Sequence, residues 1–404
     1  MRTLIAFTIV NHVAFIGSRI AVPLAALQMG ASPFAIGLLL SFYGLLPMFL
    51  SVASGRWIDR VGMRTPMIYG SSLLIFGVAV PCLIWDIGAL YLSTVTIGLG
   101  FMSFQLAIQK AAGIIGGAQA RKDNFALLAL GFAVSGLIGP TLTGVLIDAT
   151  GYRIAFGLLA LAPLGVVIAL HRFPFADRLP HVPPPQPADD APPTRVLDLL
   201  RTPELKRLYV AVALLSSSWD VHQFLVPLYG AKIGLSASKI GMVLSAFSLA
   251  TFIVRAALPW VTRHVSEWPL ILAAMASAAF VYVLYPFFAS LPMMIALSFL
   301  LGLGLGVSQP MVMALLHHAS PHDRIGEAVG LRLTLVNGTQ TFLPMTFGAF
   351  GGAFGIGSMF WGLSALLAGG VWYAGRWLRA EGRLSRAALR PHSSTPPPDD
   401  EPRA

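Results

Sequence analysis

Charge is scarce in this sequence. Asp, Glu, Lys and Arg make up only 11% of its 404 residues, whereas an average soluble domain carries about 25%. The single cysteine, Cys82, excludes an intrachain disulfide and a cysteine-rich metal site. No G-x-x-x-x-G-K-S/T loop is present, which excludes ATP hydrolysis by a P-loop. The sequence also has no nucleophile–base pair, carboxylate dyad or metal-ligand cluster at useful spacing, so we expect neither an enzyme nor a cofactor.

Apolar residues dominate the chain instead, at 56%. They form runs of about 20 residues, the length that crosses a bilayer as a helix. This pattern predicts an all-α integral membrane protein with twelve transmembrane helices. We place them at residues 4–27, 34–54, 67–85, 90–112, 125–148, 152–172, 205–229, 237–258, 269–288, 292–316, 326–350 and 356–378. The first run reaches Leu27 with no small-residue cleavage site, so we interpret it as a span and not as a signal peptide.

Basic residues collect in the loops on one side of the predicted membrane. They are Arg56, Arg60, Arg64, Arg121, Lys122, Arg172, Arg178, Arg263, Arg324 and Arg376, whereas the other side has little beyond Asp86, Arg153 and Lys232. Because cytoplasmic loops are enriched in Lys and Arg, we expect both termini to be cytoplasmic and the protein to lie in a bacterial inner membrane. The net charge of +10 then indicates orientation in a lipid bilayer and no nucleic-acid partner.

Prolines and polar residues separate two sets of six spans. A composition with Pro183-Pro184-Pro185 and Asp189-Asp190 cannot build a core and favours an extended linker. We therefore expect an N-terminal six-helix bundle at 1–172, a cytoplasmic Pro-rich linker at 173–204, a C-terminal six-helix bundle at 205–378 and a disordered cytoplasmic tail at 379–404. A short amphipathic stretch at 195–200 is predicted to lie along the membrane surface.

The two sets of spans repeat each other at an offset of 204 residues. Matching pairs include Val22-Pro23-Leu24 with Val226-Pro227-Leu228, Ile36-Gly37 with Ile240-Gly241, Gly98 with Gly302, Gln105 with Gln309, Pro140 with Pro344 and Gly144 with Gly348. One shared offset across several spans predicts two pseudo-symmetric bundles related by an axis along the membrane normal, with a solute site between them.

The densest charge cluster of the first hundred residues is G-R-W-I-D-R-V-G-M-R at 55–64. It resembles the signature loop of major facilitator superfamily transporters, with matches at Gly55, Asp59, Arg60, Gly62 and Arg64. The family usually has a basic residue where Met63 stands. The resemblance implies that Asp59 docks at the cytoplasmic end of the eleventh helix and holds an inner gate shut. The arginines could instead only fix topology.

The fifth span carries a second resemblance. Gly136, Gly139, Pro140 and Gly144 are similar to the G-P-x-x-G-G signature of proton-coupled antiporters within the superfamily, although Thr143 replaces one glycine. Small residues at this spacing equally serve generic close helix packing. Those antiporters usually have an arginine in the fourth span, where this chain has Thr94, so proton antiport by the usual arrangement is not implied.

Polar residues inside spans are expensive and usually functional. His12 and Arg19 share a stripe of the first span, and Asp220 and Gln223 share the equivalent stripe of the seventh. We expect these stripes to face each other, with Arg19 and Asp220 forming either a permanent salt bridge or a pair linked to substrate or protons. The other candidates for the cavity are Gln105, Gln109, Gln309, Arg332, Asn337 and Gln340, any of which could instead bond to a neighbouring helix.

Together these features predict a monomeric secondary active transporter that moves a small organic solute by alternating access and proton-coupled efflux. Asp220 and His12 are the candidate proton carriers. Because Arg19 and Arg332 outnumber Asp220, anionic or neutral polar solutes are favoured. The alternative hypothesis is a proton-symport uptake permease for a carboxylate or sugar-like metabolite. A third hypothesis is a transport-inactive membrane receptor.

Overall fold

The chain is all-helical in a computed structural model that describes residues 1–172, 196–262, 265–321 and 324–380. Backbone polar groups find no water in hydrocarbon, so a spanning segment satisfies them within a helix. The α-helices in these ranges are α1 Arg2–Gln28, α2 Pro33–Val61, α3 Arg64–Leu83, α4 Ile87–Ile114, α5 Gly117–Thr150, α6 Tyr152–Arg172, α7 Pro203–Lys232, α8 Ala237–Val261, α9 Glu267–Leu284, α10 Leu291–Gly306, α11 Ser308–Ala319, α12 Ile325–Phe354 and α13 Ile356–Ala380. Helices α10 and α11 form one span, interrupted by a turn at Val307.

Ten segments of the described chain are long and apolar enough to cross a membrane. They account for every predicted span except the seventh and eleventh, whose places are taken by α7 and α12. Each of these two helices has 30 residues, about 45 Å at 1.5 Å per residue, which exceeds a hydrocarbon core of about 30 Å. Asp220 lies near the middle of α7, and Arg332 lies about two turns from the start of α12. With α7 and α12 included, the described helices correspond in position to the twelve predicted spans.

Large apolar side chains cover the outside of the molecule. Phe49, Trp260 and Trp372 are 66%, 68% and 65% exposed. Such a surface would be insoluble in water and suits acyl chains. The chain is therefore a multi-pass membrane protein.

The helices form two bundles, α1–α6 and α7–α13. In the first, α3 packs along α4 and α6, and α1 packs along α5. In the second, α8 packs along α10, and α9 packs along α13. The bundles meet mainly where α2 packs against α12 and α5 packs against α8, and α1 also contacts α7.

The predicted linker and tail fall mostly outside the described residues. Within the linker range, Val196–Arg201 form a 3-10 helix and α7 already begins at Pro203. At the other boundary, α13 continues to Ala380, two residues into the predicted tail. Residues 173–195 and 381–404 lie outside the described ranges, as do Arg178 and Arg263.

The sequence repeat reappears as paired close contacts between backbones. A Cβ atom on each of several glycines would overlap a backbone atom of the facing helix. The facing pairs are Gly37 with Pro344 and Gly241 with Pro140, Gly348 with Pro33 and Gly144 with Ala237, and Gly98 with Tyr43 and Gly302 with Phe247. The pairs come in couples, and within each couple the corresponding residues are 204 positions apart in the sequence. The predicted pseudo-symmetry is confirmed at the level of individual contacts.

The two ends of the molecule are distinguished by the segments that they carry. The motif end carries the segment 55–64, and the opposite end carries the turn between α1 and α2 at 29–32. Because successive helices alternate in direction, Pro33, Gly37, Gly144, Ala237 and Gly241 all lie toward the opposite end. The backbone crossings between bundles are therefore concentrated in that half.

Candidate functional site

A polar cavity of about 100 Å³ opens on the inner face of the second bundle. It is lined by Val212, Leu215, Ser216, Trp219 and Asp220 from α7, Ser308, Gln309 and Val312 from α11, and Arg332, Val336 and Gln340 from α12. The two least apolar spans therefore face each other across it. Polar side chains that are costly in lipid are placed where water or a solute can reach them.

Asp220 is the carboxylate of this cavity and is only 3% exposed. Its Oδ2 atom accepts one long hydrogen bond, 3.4 Å, from the Thr339 hydroxyl on α12. Among the described residues, no ion pair to Asp220 forms. A buried carboxylate with so little compensation depends strongly on whatever else enters the cavity.

Arg19 does not form the direct pair with Asp220 that the sequence suggested. The guanidinium interacts with Asp220 electrostatically, yet its Nε atom is buried without a hydrogen-bond partner among the described residues. Its nearest aromatic neighbour is Tyr43 of α2, whose ring centroid lies 5.9 Å from Cζ. A permanent structural salt bridge between Arg19 and Asp220 is therefore absent from this conformation.

Arg332 lines the same cavity as Asp220. Its Nε atom is buried and has no hydrogen-bond partner among the described residues. The adjacent amide of Gln309 is oriented by Arg255 of α8, which donates to Oε1 at 3.2 Å. Arg255 also lies over Trp219, with 6.0 Å between Cζ and the ring centroid. The lining itself thus carries one negative and one positive side chain, Asp220 and Arg332, and Arg255 adds a positive charge behind Gln309.

His12 lies apart from this cavity, inside the first bundle. Its Nδ1 atom is 2.5 Å from the Ser135 hydroxyl of α5. The rings of Phe15, Phe101 and Phe132 surround it, with centroids 5.9, 5.3 and 4.8 Å away. His222 has a comparable setting in the second bundle, where it bonds to Ser298 at 2.6 Å and stacks on Phe247.

Four other predicted residues are not among those that line the cavity. Gln105, Gln223 and Asn337 are half-buried, and Gln109 is exposed. Of the amide residues predicted for the cavity, Gln309 and Gln340 line it. The structure therefore brings together Asp220, Arg332, Gln309 and Gln340 from the predicted set.

The segment 55–64 is mostly helical and not a loop. Helix α2 continues through Asp59 and Arg60 to Val61, and the chain reverses at Gly62, whose φ of +80° suits glycine. Arg64 then begins α3 and donates through Nε and Nη2 to the Leu170 carbonyl of α6, at 3.2 and 3.1 Å. The reversal therefore takes two residues, and the charges project from helix ends.

Asp59 is paired within its own bundle. Its Oδ1 atom lies 2.5 Å from Nζ of Lys110 on α4. The family resemblance implied that Asp59 docks on the eleventh span, which is α12. Asp59 does not make that contact in this conformation. Lys110 is a partner that the sequence analysis did not identify.

The small residues of α5 lie along the crossing with α8 and along α1. Gly136 faces Ser248, Gly139 faces Val13 and Ile16, and Gly144 faces Ala237. The Pro140 carbonyl faces Gly241. Beside them, the Thr141 and Ser245 hydroxyls are 2.8 Å apart, which adds a polar contact between the bundles.

Asp148 is a functional candidate that the sequence reading did not single out. It lies on α5 near the opposite end. Its Oδ1 atom accepts a hydrogen bond from the backbone N–H of Ala237, and its Oδ2 atom accepts one from that of Ser238, each at 3.0 Å. These groups begin α8, in the other bundle. The available signal was a break in the repeat, because the residue 204 positions later is Gly352.

Comparisons with known proteins agree with this architecture. A family model described as "Major Facilitator Superfamily" matches residues 4–291. A comparison with curated protein sequences finds no match.

Solved structures give the same fold at low sequence identity. The peptide transporter POT in complex with sulfate shares 15% identity, with a TM-score of 0.78 over 95% of this chain and 94% of that one. The nucleoside transporter NupG shares 12%, with a TM-score of 0.73 over 92% and 98%. A bacterial homologue of the human lysosomal transporter Spinster, in an inward-facing conformation, shares 15%, with a TM-score of 0.71 over 97% and 98%. With the family model spanning most of its length, this chain belongs to the major facilitator superfamily.

Proposed function

We propose that this protein is a proton-coupled secondary active transporter whose small organic solute binds in the cavity beside Asp220. The observation that carries the proposal is Asp220 itself, a carboxylate 3% exposed, with one weak hydrogen bond, in a cavity between membrane-spanning helices. The free energy of its charged form changes with the water, cation or solute that faces it. A group of this kind can exchange a proton as the cavity changes state.

Alternating access supplies that change of state. The two bundles cross at glycines toward the opposite end, so that end is closed in this conformation. At the motif end, Asp59 is held by Lys110 of its own bundle. We propose that Asp59 leaves Lys110 for the N-terminal end of α12 when the motif end closes, since a helix N-terminus favours a carboxylate.

The charges of the cavity favour an anionic or neutral polar solute. Arg332 lies in the cavity wall with its Nε atom unbonded among the described residues, and Arg19 lies nearby in the same state. A carboxylate or similar anionic group would satisfy a guanidinium through two hydrogen bonds. His12, enclosed by aromatic rings, is the weaker proton candidate.

Efflux across a bacterial inner membrane is the proposed direction, by a monomer with both termini in the cytoplasm. The small residues at Gly136, Gly139, Pro140 and Gly144 support export, through their similarity to the antiporter signature. The basic residues near the motif end support the orientation.

Uptake by proton symport is the second candidate. The observation that favours it is Thr94 in α4, where antiporters usually carry an arginine. The Thr94 hydroxyl bonds to the Tyr91 carbonyl of its own helix at 2.9 Å and is fully buried.

The first step of the test is to identify a transported solute. A deletion strain and a complemented strain are grown against a panel of organic acids, antibiotics and sugars. A compound whose effect differs between the strains is then followed in proteoliposomes with an imposed pH gradient. Accumulation against the solute gradient, driven by protons moving the other way, is expected for efflux; movement in the same direction as protons identifies uptake.

Asp220→Asn removes the charge and keeps the shape. We expect it to abolish gradient-driven accumulation and to leave solute exchange without a gradient near the parent rate. Asp86→Asn is the matched control, because Asp86 is an exposed helix cap at the opposite end. Normal proton-driven accumulation in Asp220→Asn would place coupling elsewhere.

A further inference from the structure

The start of α8 is capped by a carboxylate from the other bundle. The first N–H groups of a helix have no partner within it and need an acceptor. Here Asp148 of α5 supplies both of its oxygens, to Ala237 and Ser238, at 3.0 Å each. The residue in the ordinary capping position, Ser236, makes no such bond and has its hydroxyl 3.0 Å from that of Ser238.

The pseudo-equivalent helix does not use this arrangement. Helix α2 is capped by its own Ser32, whose hydroxyl accepts from the Ala35 N–H at 3.2 Å. The position on α12 that corresponds to Asp148 is Gly352, where a Cβ would meet no atom within 4 Å. One crossing between the bundles therefore has a charged contact that the other lacks.

We propose that Asp148 is a positioning residue that holds the opposite end closed. When the bundles separate there, α8 loses its cap and the carboxylate loses two hydrogen bonds and the favourable end of a helix dipole. The contact therefore stabilises the closed opposite end over the open one. The consequence for transport rests on the alternating-access function proposed above, whereas the consequence for conformation does not.

The glycine crossing beside it makes the contact possible. A Cβ on Gly144 would overlap the Ala237 carbonyl, so α5 can approach the first turn of α8 only because that residue is glycine. Asp148 follows one helical turn later and lies over the exposed N–H groups. Arg153, the nearest basic residue along the chain, is engaged elsewhere, donating to the Cys82 and Leu83 carbonyls.

Distances between the bundles test this role directly. The sole cysteine is first removed as Cys82→Ser, and spin labels are attached at Ile84→Cys and Phe287→Cys, which are exposed at the opposite end on different bundles. Double electron–electron resonance in liposomes then gives the populations of short and long distances. Because removing a helix cap costs about 1 kcal/mol, Asp148→Ala should raise the ratio of the long to the short population roughly five-fold.

Asp86→Ala is the matched control. Asp86 is an exposed aspartate at the same end, and its Oδ1 atom accepts from the Gly88 N–H at 2.7 Å, a cap within one bundle. Its loss should lower thermal stability like that of Asp148 and leave the distance populations unchanged. Asp148→Asn, which keeps an acceptor oxygen, should shift the populations less than Asp148→Ala and covers the case in which the alanine variant does not fold.

Two outcomes would overturn the role: distance populations in Asp148→Ala that equal those of the parent, or an equal shift in Asp86→Ala. A shift in the distances without any solute flux in the parent protein would support the role of Asp148 and would contradict the proposed transport function.

Discussion

The two ends of the molecule are held by different kinds of contact. At the opposite end, contacts join the bundles: Asp148 to the start of α8, Thr141 to Ser245, and the glycine crossings. At the motif end, the described ion pairs stay within one bundle, as in Asp59 with Lys110 and Arg324 with Glu327. Charges that pair within a bundle do not hold two bundles together. The described contacts between the bundles are therefore concentrated at the opposite end.

The contacts at the two ends also differ in how much free energy they contribute. Backbone crossings at glycine depend on close van der Waals packing, where one added carbon is felt. The Asp59–Lys110 pair is partly exposed, with side chains 32% and 20% accessible, and such a pair contributes about 1 kcal/mol or less. Changes at the opposite end should thus affect stability, and changes at the motif end should affect mainly the conformational cycle.

The largest effect is expected from Gly241→Ala at the crossing of α5 and α8. The new methyl group would overlap the Pro140 carbonyl, and overpacking of this kind costs about 1–3 kcal/mol. We expect a lower thermal unfolding temperature in detergent and a wider opposite end by spin-label distances.

Gly369→Ala in α13 controls for helix propensity, since a Cβ there meets no atom within 4 Å. Alanine gains about 1 kcal/mol over glycine in either helix, so the difference between the two variants reports the steric clash. Equal unfolding temperatures would show that the crossing is looser than described.

An intermediate effect is expected at Asp59. Asp59→Asn should reduce solute flux several-fold and shift unfolding little, because an exposed pair contributes about 1 kcal/mol or less. Lys110→Gln releases the same carboxylate without removing it and should favour closure of the motif end. Labels at Arg172→Cys and Arg379→Cys follow that end on each bundle, and identical distance shifts in both variants would exclude the proposed exchange of partners.

The smallest effect is expected from Gly330→Ala in the first turns of α12. A Cβ there meets nothing within 4 Å in this conformation, so thermal unfolding should change only by the helix propensity that alanine adds. If α2 approaches α12 when the motif end closes, the methyl group should slow flux, because overpacking raises the free energy of the closed state. Gly375→Ala in α13, equally open, serves as the comparison; equal flux in both variants would argue against a close approach at Gly330.

The repeat and the spans could be predicted because they follow from local rules. An apolar run of sufficient length must be a helix, and a shared offset of 204 residues anticipated that one half of the chain repeats the fold of the other. The end of α2 was placed too early, since a cluster of charges was equated with a loop. Nothing in R-W-I-D-R breaks a helix, so the helix continues to Gly62.

The contacts between bundles were harder to foresee. Periodicity places Arg19 and Asp220 on inward stripes, but the gap between them depends on how the bundles tilt, which no local rule gives. Asp59 lies within reach of Lys110 only because α2 and α4 converge. Asp148 escaped notice because a repeat alignment emphasises positions where the copies agree, and its role comes from a position where they differ.

The polar character of α7 and α12 has a consequence for how the protein is made. A helix with a charged residue near its middle, as α7 has in Asp220, partitions poorly into lipid when alone, at a penalty of about 2.5–3.5 kcal/mol. During synthesis, α7 emerges before most of the helices that will shield it. We therefore expect the insertion of α7 to depend on the neighbouring helices α8 and α9 more than the insertion of an uncharged apolar span does.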